Sequence, residues 1–238
     1  MSEDIKILKE IENAVKLCEK EYSRDEIFDL LKKSSASDPQ IDVEKQICIL
    51  KLEDIRTQQE ADVLVYHLTE HHGLIREACA HKINEFMQNP SLQNFFQTSA
   101  ISDALLKAVN DINPNICRLI TDILPYLKDK KYFLNNLYNR FDVIFDELEK
   151  LKRSNWYTKK LFNLYWGLEA LCALSPDCDS KLQNVLQQCL KIREYTIREK
   201  TAMLLDSLKS DKDFINQAKQ LLAQDTNYYV KRYAKNWV

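Results

Sequence analysis

Glycine is nearly absent: the 238 residues hold 2 glycines and 5 prolines. Phosphate-cradling loops, dinucleotide-binding folds and sheets joined by tight hairpins all need several residues at positive φ, where glycine is the usual choice. Those classes are excluded, and an all-helical protein remains. Cysteine pairs are also missing. Seven cysteines stand at 18, 48, 79, 117, 172, 178 and 189, and no two are spaced C-x-x-C. The odd number and their apolar positions predict buried free thiols. No apolar run approaches the ~18 residues of a membrane span. The start, Met-Ser-Glu-Asp, is acidic where a secretory signal would be basic. A cytoplasmic protein with no membrane partner is the expectation.

The apolar share, 45%, is large enough to build a core. The net charge of −2 excludes a uniformly basic nucleic-acid binder. That average conceals an asymmetry. Residues 1–127 carry 14 Lys and Arg against 22 Asp and Glu, whereas residues 128–238 carry 20 against 14.

Helix signals recur every ten to twenty residues, and about fourteen helices are expected. Ile5, Leu8, Ile11, Val15 and Cys18 form one apolar stripe, behind a cap at Ser2. Ser23 with Glu26, and Thr57 with Glu60, have capping-box spacing. Asn89-Pro90 and Asn113-Pro114 each put a cap before a proline at the first helical position. Phe133, Leu137, Phe141, Ile144, Leu148 and Leu151 predict a helix of about twenty residues. Its partner turns Leu161, Leu164, Leu168 and Leu171 inward. Pro125 should end or bend its own helix.

Some helix starts share a pattern, an Asp followed five residues later by an aliphatic anchor and often a basic residue. Asp38 leads to Val43, Asp111 to Ile116, and Asp225 to Val230-Lys231. Ile75-Arg76 with Ala78 and Ile197-Arg198 with Ala202 lack the Asp. With a start near Thr158, the anchors lie 32 to 42 residues apart, the period of stacked helical hairpins. On Asp38-Pro39 with Val43, Ile75-Arg76 with Ala78, Ile197-Arg198 with Ala202 and Val230-Lys231 with Ala234, the sequence resembles the HEAT-repeat family and its armadillo-like relatives. The resemblance implies a right-handed α-solenoid as a single domain over 1–238. Residues 1–22 would be an N-terminal capping helix and 23–238 about six antiparallel hairpins. It also implies that the second helix of each hairpin lines a concave binding surface, and that Asp and basic residues of neighbouring repeats form a ladder. Stacking of this kind hosts many functions and assigns none.

Chemistry-bearing motifs are sparse. His67-Leu68-Thr69-Glu70-His71 matches H-x-x-E-H, in which two His one helical turn apart can share a zinc ion. Mixed-sheet metalloproteases of that type need glycine this chain lacks, so His67 and His71 are weak metal candidates and no cofactor is expected. No nucleophile, Walker loop or dinucleotide fingerprint occurs. An enzyme is the less favoured reading. The strongest candidate surface is basic and aromatic: Lys152, Arg153, Trp156, Tyr157, Lys159, Lys160 and Trp166, continued by Arg198, Lys231 and Arg232. Lys159, Arg198 and Lys231 would form a row on successive second helices. Such a row suits an acidic protein segment or helix, and less well a phosphate backbone. The leading expectation is a non-enzymatic protein-binding scaffold. Two alternatives rest on resemblance alone. One is a HEAT-like DNA glycosylase for alkylated bases, whose Trp-x-x-Arg helix start is echoed by Trp156-Tyr157-Thr158-Lys159 and whose Trp-Trp-Asp run is missing. The other is a HEAT-like chromophore lyase.

Overall fold

The computed structural model describes residues 3–33, 39–70, 72–151, 154, 156–208 and 212–234. Among these there are thirteen α-helices and no strand: α1 Glu3–Glu19, α2 Arg24–Leu31, α3 Pro39–Lys51, α4 Gln58–Glu70, α5 Gly73–Gln88, α6 Ser99–Val109, α7 Pro114–Ile123, α8 Lys130–Lys150, α9 Trp156–Leu174, α10 Ser180–Leu190, α11 Tyr195–Ser207, α12 Lys212–Ala223 and α13 Tyr228–Ala234. No helix among the described residues is long and apolar enough to cross a membrane. Packing divides the chain into two compact units, Met1–Ala104 and Leu105–Val238.

Local sequence sets most helix ends. Ser23 and Glu26 form a reciprocal capping box. Thr57 and Glu60 form another: the Glu60 N–H donates to Thr57 Oγ1 at 3.3 Å, and the Thr57 N–H to Glu60 Oε2 at 3.0 Å. Asn113 caps α7, with Pro114 in its first turn. Pro125 falls in a 3-10 turn, Leu124–Tyr126, that closes α7. α9 ends at Ser175, whose φ of 45° lies in the left-handed region usually given to glycine.

In the first unit, α1 and α2 pack on α3, α2 on α4, and α5 on both α3 and α4. Leu31, Ile49, Leu64, Leu68, Ile75, Ile83 and Phe86 are buried between them. In the second unit, α7, α9, α11 and α13 pack in succession. Alongside, α8 packs on α10 and α10 on α12. The long stripe of α8 is buried from Phe133 to Leu148, and its α9 counterpart from Leu161 to Leu171. A Cβ built on Gly167 would stand 2.9 Å from the Phe141 ring, so this glycine lets α9 approach α8.

Several expectations need correction. No α-helix starts at Asn89-Pro90. Asn89 ends α5, and its Oδ1 accepts from the Ser91 N–H (3.1 Å) and hydroxyl (2.8 Å). Its side chain thus builds a turn, and the chain continues into a 3-10 turn at Gln93–Phe96. Of the anchors, Ile75, Ile116, Ile197 and Val230 are buried, but Val43 is 37% exposed and Thr158 is exposed. Lys45, Cys48 and Ile49 make the inner side of α3 instead, with buried Leu52 just past its end. The stripe of α1 does not face inward: Leu8, Ile11, Val15 and Cys18 are exposed. The Ser2 cap lies outside the described residues.

Candidate functional site

The basic and aromatic half is organised by one arginine. Arg198, in the first turn of α11, donates through Nε to Asp225 Oδ2 at 2.5 Å and through Nη2 to Oδ1 at 3.1 Å. Its Nη1 donates to the carbonyls of Ile192 (2.8 Å) and Arg193 (2.7 Å). One guanidinium thus ties the α10–α11 loop to the α12–α13 loop. Asp225 then positions the next helix: its Oδ1 accepts from the Asn227 N–H, and Asn227 Oδ1 accepts from the Tyr229 N–H at the start of α13. The hydrogen bond from Arg198 outweighs burial, so Asp225 stays below the usual carboxylate range; the Asn227 N–H and the charges of Arg198 and Lys231 add to this.

On this frame α9, α11 and α13 begin along one edge, each with an aromatic residue. Trp156 opens α9, where its N–H donates to Ser154 Oγ at 3.2 Å. Tyr195 opens α11, and Tyr228 and Tyr229 open α13. The Tyr195 and Tyr229 rings stack at 6.0 Å. Trp156 is 58% exposed, with Lys159 Nζ over its ring at 4.9 Å. Between the helix starts lies an open cleft of about 440 Å³ lined by Tyr157, Arg193, Glu194, Tyr195, Arg198, Thr226 and Asn227.

The surface expected from sequence is therefore divided. Trp156, Tyr157 and Lys159 belong to this edge, and Arg232 is exposed one turn into α13, against the Tyr233 ring. Lys231 is half-buried near Asp225. Arg198 is structural. Lys160 Nζ lies 2.7 Å from Glu147 Oε2, tying α9 to α8. Trp166 packs edge-on against Phe162 and Tyr165, with its indole nitrogen buried. Lys152 and Arg153 lie outside the described residues. Behind the edge, buried Lys200 pairs with Glu169, which also accepts from the Tyr165 hydroxyl at 3.2 Å. Burial works against the Lys200 ammonium, but Glu169 outweighs it and holds the charge.

Sequence reasoning passed over Tyr195, Thr226 and Asn227. A signal was present: Trp156, Tyr195 and Tyr228 recur 39 and 33 residues apart, within the 32 to 42 residues that separate the sequence anchors. It also passed over a cleft of about 640 Å³ between α3 and α5, lined mainly by Gln46, Glu77, His81, Lys82, Asn84, Glu85 and Gln88. Glu77, His81, Asn84, Glu85 and Gln88 make a polar stripe at helical spacing that marks this face of α5.

His67 is buried, and its Nε2 is 2.9 Å from the Leu31 carbonyl oxygen, so that nitrogen joins α4 to α2. His71 lies outside the described residues. Among the described residues no group of three His, Cys, Asp or Glu is placed to hold a metal ion. Burial pushes the Cys117 and Cys189 thiols up to about 12, away from nucleophilic reactivity. No protein-family model and no curated protein sequence matches the chain.

Proposed function

We propose that the chain is a non-enzymatic protein-binding scaffold, built as a HEAT-like α-solenoid, that receives an acidic partner segment on the edge where α9, α11 and α13 begin. The observation that carries this reading is one cleft lined by half-buried Tyr157 and Tyr195 and exposed Arg193, with exposed Trp156 next to Tyr157 in the chain and exposed Tyr229 stacked on Tyr195. Trp, Tyr and Arg dominate the energetics of protein interfaces, because each buries a large rigid surface and keeps a polar contact. Charge favours an acidic partner: residues 105–238 carry 22 Lys and Arg against 16 Asp and Glu. The solenoid reading draws support from the second unit, where alternate helices pack in two successions. The Arg198–Asp225 pair supports it as well, since it joins loops one repeat apart, as the resemblance implies.

The test is capture from nuclease-treated lysate by the wild-type chain and by Trp156→Ala/Arg193→Glu. Both residues are exposed, so the variant should keep its fold. A defined protein retained by the wild type and lost by the variant is the expected outcome. A protein set unaffected by the variant would move the contact elsewhere. Retention of duplex DNA alone from an untreated control lysate, weakening steeply with salt, would favour the nucleic-acid reading.

A further inference from the structure

The first helix carries a second surface, independent of the edge in the other unit. Ile7, Leu8, Ile11 and Val15 are 49%, 59%, 55% and 50% exposed, and Cys18 is exposed with them. At about 100° per residue these five share an arc of about 100°. The helix is held from another side. Ala14 and Leu17 are half-buried and α1 packs on α3. Lys51 Nζ donates to the carbonyls of Cys18 (2.6 Å) and Lys20 (2.5 Å) at its end, while Lys20 Nζ and the Tyr22 hydroxyl reach Glu44 at 3.3 and 3.1 Å. The bare stripe is therefore a fixed feature of an anchored helix.

Its spacing and its borders say what covers it. Leu8, Ile11, Val15 and Cys18 are three, four and three residues apart, the seam a partner helix packs into. Exposed Glu12 and Glu19 border the stripe on the side away from the half-buried Ala14, while Lys9, Lys16 and Lys20 take the opposite face. A second copy of α1 packed antiparallel would set these glutamates against each other, and a parallel one would offer them no basic partner. An anionic lipid surface would meet carboxylates where membrane-lying helices carry lysine. We propose that α1 docks an amphipathic helix of a partner protein whose apolar stripe is bordered by Lys or Arg.

The probe is a dye-labelled synthetic helix of about three heptads, with Leu and Ile at the seam positions and Lys at the bordering ones. The same helix with Glu at the borders is the comparator. Both are titrated against the full chain. The lysine peptide should bind at least about tenfold tighter than the glutamate peptide at low salt. Ile11→Gln/Val15→Gln should lose that binding, and Glu12→Lys/Glu19→Lys should reverse the preference. Bound lysine peptide should also slow alkylation of Cys18. The substituted side chains are exposed, and an unchanged Cys18 alkylation rate in the free variants would verify that α1 is intact. Equal binding of both peptides, or binding by neither, overturns the proposal. So does a dimer in sedimentation that Ile11→Gln disperses, which would assign the seam to a second copy. Binding to phosphatidylserine vesicles that Ile11→Gln abolishes would assign it to lipid, with the same consequence.

Discussion

Asp225 keeps its negative charge because Arg198 donates two hydrogen bonds to it. With a folded pKa below the unfolded value, it adds stability above about pH 4, which is lost as pH falls through the folded value. Asp225→Asn should therefore cost about 2 kcal/mol at pH 7. Thermal melts of variant and wild type should converge as pH drops from about 5 to about 2. Melts that stay parallel across that range would mean the pair contributes nothing through its charge. This residue also shows how far a sequence can be read. Asp225, Arg198 and Lys231 all stood out in the repeat pattern, yet pattern alone placed Arg198 on a binding row. Only the loop geometry reveals that its donors reach Asp225 and two carbonyls, so a variant at Arg198 would test folding, and Arg193 is the arginine that tests binding.

Elements were legible wherever a cap and a stripe agreed. Thr57 and Glu60 announced α4, and the stripes of α8 and α9 announced the longest pair. Asn89-Pro90 misled because an Asn side chain satisfies a turn as readily as a helix start. α1 misled for a different reason: an apolar stripe reveals amphipathicity, but not whether this chain supplies the cover. Glu60 carries a role that cap spacing does not disclose. Besides the Thr57 N–H it accepts from the Arg56 N–H at 2.7 Å and from Arg24 of α2, whose Nε is 2.8 Å away. Glu60→Ala removes a cap and strands the half-buried Arg24, so its cost should exceed the ~1 kcal/mol of a lost cap and approach ~3 kcal/mol. Urea unfolding would measure it. A loss near 1 kcal/mol would mean that Asp54, the other partner of Arg24, compensates.

Across the whole molecule, charge and chemistry are unevenly divided. Residues 1–104 carry 12 Lys and Arg against 20 Asp and Glu, the reverse of the balance after residue 104. That asymmetry was plain in the sequence, as was the aromatic excess around Trp156. The cleft was not, because Tyr157, Arg193 and Asn227 come from three helix starts far apart in the chain. The composition of this edge makes a prediction about conditions. Its lining combines charged side chains, Arg193, Arg198 and Glu194, with the rings of Tyr157 and Tyr195. Affinity for a partner captured by wild type and lost by Trp156→Ala/Arg193→Glu should thus depend in part on salt. It should fall by about tenfold between 50 and 300 mM salt, because rim charges are screened while aromatic contacts are not. Affinity indifferent to salt would reduce the site to its aromatic residues.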